Sequence, residues 1–408
     1  MLLKSNLTSL ILFTSIWWVF GPKINLFAVP GYEQGIRIED ILFAGVFAAL
    51  ALSTLSKKGT VNILGGTHGL TLVLFMFASV VFSVFLFNSQ PSAFIFTFRW
   101  LEYLLMGSIL LQVAVLHRSK FITLFKSYII INACIAPFSL LSGERYSGVS
   151  AGPWEVSTVL LLIMFSLKPL LKSSREFYVY AICVLIVIVA AKARIQLIAY
   201  LMLLTLYSET RYKLLVASLP IGIYLILSGQ LHNVLEAIRF DAIGFSSINE
   251  IINTIESHGQ DADFYTLTEN LPDSDASTIV RLLIWSSFIY KWLDYGPFAI
   301  LFGIGPGVGG VVVDGFYVRL LTEFGLIGTI IFIIFFKNIL MKIDREFRVQ
   351  LILVIGIISL TNDPITSQRI FSAICLSIGI LSSCKINHVT NSIISKKSHA
   401  SKFYRGLT

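Results

Sequence analysis

Long apolar blocks separated by short polar joints constrain this chain more than any other feature. They fall at about 7–20, 38–55, 68–87, 93–116, 121–141, 154–167, 177–191, 195–208, 213–229, 315–336, 349–361 and 370–384. A bilayer core of about 30 Å is crossed by roughly 20 apolar residues in α-helix. Lipid offers no partner to backbone N–H and C=O groups, so blocks of this kind must bond within themselves, as helices. Charged residues supply only 13% of the chain, about half the usual share, so no charged shell is available for a soluble fold. The expectation is an all-α, polytopic integral membrane protein with about twelve transmembrane helices. Soluble enzymes, disulfide scaffolds and disordered chains are excluded, and the net charge of +8 carries no nucleic-acid signal.

The basic residues orient the blocks. With the N-terminus in the cytoplasm, 20 of the 31 Lys and Arg fall at inner joints or in the tail 385–408. The other 11 are Lys23, Arg37, Arg99, Arg145, Lys192, Arg194, Arg239, Arg281, Lys291, Arg319 and Arg369, at outer joints or outer helix ends. The positive-inside rule therefore predicts both termini in the cytoplasm. The first block, with Trp17-Trp18 and Gly21-Pro22 after it, reads as a retained span. Residues 177–208 would run to about 48 Å as one helix. Two short segments broken near Ala191–Arg194 fit better and keep the basic joint 337–348 inside. The resulting organisation is helices 1–9 over 1–229, a large outer loop over 230–313, helices 10–12 over 314–384, and a basic tail over 385–408.

The outer loop opens acidic: nine Asp and Glu face Arg239 alone before Ser277. Ser277–Trp292, with Arg281, Trp285, Tyr290 and Trp292, reads as an amphipathic helix at the membrane surface. A glycine-rich turn follows, Gly303-Ile304-Gly305-Pro306-Gly307-Val308-Gly309-Gly310. It lacks the Lys-Ser/Thr of a nucleotide loop and reads as a tight turn for close backbone approach to a ligand or a helix. Cys134, Cys183, Cys375 and Cys384 lie in or beside apolar helices and suggest no disulfide framework.

From Arg281 the chain reads Trp285, Gly296-Pro297, Gly303-Ile304-Gly305-Pro306-Gly307, Asp314-Gly315-Phe316-Tyr317-Val318, then Leu321-Thr322-Glu323-Phe324-Gly325-Leu326-Ile327-Gly328. This stretch resembles the signature of the O-antigen polymerase and O-antigen ligase superfamily. Arg37-Ile38-Glu39-Asp40, Arg145-Tyr146-Ser147-Gly148 and Lys192-Ala193-Arg194 fit the same resemblance. Ligases of that family carry His three residues before the Tyr that opens the late helix; here Asp314 stands there. The resemblance therefore implies a repeat-unit polymerase of the bacterial inner membrane, with its large loop and active site periplasmic. Its substrates would be undecaprenyl-diphosphate-linked glycans, with no cofactor and no metal. Membrane lipid and a chain-length regulator protein are the partners it implies, and nucleic acid is not among them. A transporter or flippase fits less well, because the two halves show no internal repeat and the charges stay near the outer side.

Such chemistry needs guanidinium groups where diphosphate charge develops, since their forked donors suit phosphate oxygens. Arg194 and Arg281 are the catalytic candidates of that kind, with Arg145 and Arg37 as substrate-binding groups. Arg194 stands in an apolar stretch where an idle charge is costly. Arg37 also has a reading as an anchor or a partner of Glu33, Arg145 as a partner of Glu144, and Arg281 as a snorkelling side chain. Asp314 is the candidate general base, or else a helix N-cap. Tyr317, Gly305 and Gly307 complete the substrate-binding set. At 100° per residue Asp314, Tyr317, Gly325 and Gly328 share one face of the late helix, with Arg319 and Glu323 opposite as an i,i+4 pair. Arg99 and Glu102 read as a second internal pair.

Overall fold

The structure is a computed structural model that describes residues 2–29, 32–57, 64–87, 93–142, 144–148, 152–171, 173–206, 276–305 and 315–382. The block 213–229, most of the loop 230–313, Gly307, Asp314 and the tail 385–408 lie outside the described residues.

The described chain is helical almost throughout; its helices coincide with the apolar blocks, except for two in the loop 230–313, of which the first covers the expected amphipathic segment. They are α1 (Leu2–Phe20), α2 (Ile38–Lys57), α3 (Thr67–Phe87), α4 (Ala93–Leu116), α5 (Arg118–Leu141), α6 (Pro153–Leu167), α7 (Ser174–Ala190), α8 (Arg194–Leu206), α9 (Ala276–Asp294), α10 (Gly296–Phe302), α11 (Phe316–Leu340), α12 (Arg345–Ile358) and α13 (Gln368–Ser382). Five segments are long and apolar enough to cross a membrane, within α3, α4, α5, α6 with its following turn, and α11. The protein is therefore a helical membrane protein. One element was not anticipated: an antiparallel β-hairpin, β1 (Asn25–Val29) and β2 (Tyr32–Arg37), joins α1 to α2, with Asn25 opposite Arg37. Pro22 and Pro30-Gly31 leave too few residues for a helix there, and Phe27, Val29, Tyr32 and Ile36 suit extended chain.

α6 and α13 form the centre. Every residue of α6 from Glu155 to Leu167 is buried, and so is nearly all of α13. Helices apolar on all sides behave this way. Gly379 lets α13 approach α4 closely, since a Cβ there would lie 2.7 Å from Leu111 O and from Ala114 Cβ.

The break between α7 and α8 lies where the sequence places it. Lys192 N–H donates to Val189 O (3.0 Å) and Ala193 N–H to Ile188 O (3.2 Å). That crossed pair is a Schellman cap, and it puts Lys192 in the left-handed region at φ 51°. Glycine usually holds that place, because L side chains are strained there.

The late helix departs from the expected single span. Gly325 (φ 65°, ψ −173°) interrupts α11. A straight helix would hold Phe316 and Phe332 about 24 Å apart, yet their rings are centred 5.2 Å apart. The two arms of α11 thus fold toward one another, and the expected common face of Tyr317, Gly325 and Gly328 does not survive the break. Tyr317 is exposed, whereas Gly325 and Gly328 are buried. The break is occupied by the glycine-rich turn. Ile304 N–H donates to Thr322 O (2.8 Å) and Gly305 N–H to Glu323 O (3.1 Å). Ser79 and Ser83 of α3 bond Phe302 O (3.1 Å) and Ile304 O (2.5 Å) from the other side. α9 packs on this element through Phe288 and through Trp292, whose indole N–H donates to Ala299 O (2.8 Å).

Gly303 tests the arrangement. At φ 82° its Cβ would lie 2.2 Å from Glu323 O, whereas Gly66, also at positive φ (61°), has nothing within 4 Å. Gly66→Ala therefore carries backbone strain alone, about 1–2 kcal/mol. Gly303→Ala adds a backbone collision and should cost clearly more. Melting temperatures of both variants in detergent check this; equal losses would rule out the close approach.

Candidate anion-binding site and its ionic frame

Among the described residues, contacts gather Lys23, Arg37, Arg99, Arg319 and Arg369 of the outer set, each against a carboxylate. The central carboxylate is Glu155, in the first turn of α6 after Gly152 and Pro153. It is 1% exposed. It accepts from Lys23 Nζ (2.8 Å), Ser367 Oγ (2.6 Å) and Arg369 Nη1 (3.5 Å). Arg369 also donates to Gly21 O. One side chain thus ties α6 to the end of α1 and to the start of α13. Its place at a helix N-terminus adds a favourable dipole interaction. Burial pushes the Lys23 ammonium pKa down, and the neighbouring Glu155 opposes that shift.

A second knot joins α2 to α4. Arg99 grips both carboxylate oxygens of Asp40, one at 2.8 Å, and reaches Glu102 at 3.3 Å. Asp40 also accepts the Arg37 backbone N–H (2.8 Å), holding the last residue of β2 against the first turn of α2. The Arg37 guanidinium lies 3.8 Å from Glu39 and both residues are buried. A third knot joins α11 to the turn between α12 and α13. Arg319 donates to Glu323 (2.9 Å), Asp363 (2.8 Å) and Thr366 Oγ1 (2.8 Å). The expected Arg319–Glu323 and Arg99–Glu102 pairs are both present, each enlarged by a carboxylate from a distant segment, Asp363 of the α12–α13 turn and Asp40 of α2.

Together these knots set five cations against six carboxylates. Lys23, Arg37, Arg99 and Arg369 face Glu39, Asp40, Glu102 and Glu155, while Arg319 faces Glu323 and Asp363. Such groups hold helices together and have little positive field left for an external anion. Arg37 therefore belongs to the frame, with Glu39 as its near carboxylate.

A different grouping forms where the loop 144–148 meets the α7–α8 break. Tyr146 N–H donates to Ala190 O (3.0 Å), and Arg145 Nε to Ala191 O (3.3 Å). The buried Tyr146 hydroxyl donates to Asn132 Oδ1 of α5 (2.7 Å), and burial raises its pKa. Arg145 and Arg194 are exposed, with the strained Lys192 between them in the chain fold. α8 starts at Arg194, so its first-turn N–H groups point toward the same corner and favour negative charge. The corner brings together two of the arginines that the sequence singles out and adds a cation, Lys192, from the Lys192-Ala193-Arg194 motif.

The remaining candidates are dispersed. Arg281 lies on α9, with its side chain outside the described residues. Tyr317 donates its hydroxyl to Gly356 O of α12 (3.0 Å), and Gly305 spends its N–H on Glu323 O. Gly307 and Asp314 lie outside the described residues. Sequence reasoning missed Glu155, Asp40, Asp363 and Ser367. A signal existed for Glu155, a lone carboxylate two residues inside an apolar block, and for the polar run Thr361–Arg369 between two such blocks. No protein-family model matches the chain, and no curated protein matches it.

Glu155→Gln leaves Lys23 and Arg369 buried without their counter-charge and should cost about 3–5 kcal/mol. Lys23→Met leaves Glu155 its bonds to Arg369 and Ser367 and removes a cation that burial already disfavours, so it should cost less than half as much. Thermal unfolding in detergent of the two variants checks the order; a costlier Lys23→Met would displace Glu155 from the centre of the frame.

Proposed function

We propose that this protein is a membrane glycosyltransferase that joins undecaprenyl-diphosphate-linked oligosaccharide repeat units, as an O-antigen polymerase of the bacterial inner membrane. About twelve crossings, with both termini cytoplasmic, put the Arg145–Lys192–Arg194 corner on the periplasmic face. The observation that carries the reading is Lys192, the only described residue other than glycine with positive φ. Strain kept at a cation, beside two exposed arginines and a helix N-terminus, marks a place where charge is worth more than backbone comfort.

In this reading Arg145, Lys192 and Arg194 hold the diphosphate of the lipid-linked donor. The glycosidic bond to the diphosphate breaks as the acceptor hydroxyl of a second lipid-linked unit attacks, and the departing diphosphate's negative charge is neutralised at the corner. Arg281, on the helix leading into the glycine-rich element, is the further cation of the same kind. Asp314 takes the acceptor proton, and Tyr317, three residues on in the sequence, lies in the first turn of α11. Glycine-rich residues 305 and 307 shape the approach. The motif resemblance over 37–328 and the exposed, outward-assigned arginines support this reading together. A chain-length regulator protein is its expected partner.

Lys192→Gly is the discriminating variant. Glycine suits the left-handed position, so folding should stay within about 1 kcal/mol of wild type. Loss of a charge-assisted contact worth about 1.5–3 kcal/mol should lower turnover about ten- to a hundred-fold. Arg145→Ala and Arg194→Ala should do the same, leaving single repeat units on the cell surface in a complemented deletion strain. Normal long-chain glycan ladders in all three variants, at normal protein level, would refute the diphosphate corner.

A further inference from the structure

The fold leaves an apolar groove between the bent α11 and α12, lined by no residue of the Arg145–Arg194 corner. Its volume is about 430 Å³. Leu320, Phe332, Ile333 and Phe336 of α11 face Ile352 and Ile355 of α12 across it, and Lys337 and Arg348 stand at one end. The groove exists because Gly325 bends α11: the two arms and α12 cannot close on one another along their whole length. An apolar groove in a bilayer takes lipid chains, and the question is which lipid.

The charge at its rim answers that. Lys337 is exposed in the last turn of α11. Arg348 is held by Ile343 O (3.2 Å) and Met341 Sδ (2.9 Å), which fixes its guanidinium at the α11–α12 joint. Its Nε–H is buried without a partner. Lys342 and Arg345 lie on the same joint, against Asp344 and Glu346, and Glu346 is engaged by Gln350 (3.3 Å). Basic pockets between transmembrane helices on the cytoplasmic side suit anionic headgroups. At the groove's other end Tyr317 is committed to Gly356 O and Arg319 to two carboxylates, so no spare cation stands there among the described residues.

We infer that the α11–α12 groove is a binding site for an anionic phospholipid, with its phosphate between Lys337 and Arg348 and an acyl chain along Phe332, Phe336 and Ile352. The lipid fills the gap that the Gly325 bend opens and braces the bent helix against α12. This is independent of the proposed activity, since it uses the opposite charge cluster and a different ligand.

The test is thermal unfolding of the purified full chain in mild detergent, with added phosphatidylglycerol, phosphatidylcholine, inorganic phosphate or undecaprenyl phosphate, alongside native mass spectrometry of retained lipid. Phosphatidylglycerol should raise the melting temperature and stay bound, with phosphatidylcholine and inorganic phosphate giving little shift. Lys337→Gln, at an exposed site where folding is undisturbed, should weaken phosphatidylglycerol binding about ten-fold. Ile352→Trp, which fills the groove and keeps both cations, should abolish lipid retention. Equal stabilisation by phosphatidylcholine, a full effect from inorganic phosphate, stronger retention of undecaprenyl phosphate, or unchanged binding in Lys337→Gln would each overturn the site.

Discussion

The architecture turns on one carboxylate that has no business in a hydrocarbon layer unless it is fully matched. Glu155 heads one of the two most buried helices, and an ionised group there would be among the most expensive in the chain if left alone. It is not alone: a lysine, an arginine and a serine hydroxyl converge on it from chain positions 23, 369 and 367. The consequence is geometric. Satisfying Glu155 requires the end of α1 and the start of α13 to arrive at the head of α6 together, which specifies how the central helices are arranged. Apolar packing between helices in lipid is only weakly directional, because lipid chains compete for the same surfaces. The ionic knots supply the missing direction.

The Arg99–Asp40 and Arg319–Asp363 knots repeat that logic at the same end of the bundle. Each joins elements distant in sequence, and each takes the arginine's forked donors into carboxylate geometry. The segment Thr361–Arg369 is the shared piece. Asp363 and Thr366 receive Arg319, and Ser367 and Arg369 serve Glu155, so α11, α6 and α1 all bear on nine residues. Movement of the bent α11 therefore cannot be separated from the frame around Glu155.

Much of this was legible in the sequence. Apolar block length and polar joints located nearly every described helix, since backbone satisfaction in lipid leaves helix as the answer. The α7–α8 break was legible because Lys192 and Arg194 make a continuous 32-residue span both too long and too charged. The i,i+4 and i,i+3 spacings revealed Arg319–Glu323 and Arg99–Glu102. Their third partners, Asp363 and Asp40, were not legible, because nothing local to a helix reports which other helix it meets. The bend at Gly325 escaped for the same reason. Glycines in apolar helices usually allow close packing, and only the arrival of Gly303 from another segment turns this one into a break. The β-hairpin was hidden by its brevity, with alternation too short to register on either side of Pro30.

The contrast between frame and corner carries the functional argument furthest. A membrane protein that merely needed stability would set its buried charges against opposite ones, and the frame does so. Arg145, Lys192 and Arg194 follow a different rule: they are presented by a loop pinned through Tyr146 to Asn132, on a cap that strains its own lysine, at the start of a helix whose dipole favours anions. Strain, presentation and field agree there and nowhere else among the described residues. Matched charges build the scaffold, and the corner, with its two exposed arginines, is where the proposed reading puts an anionic ligand.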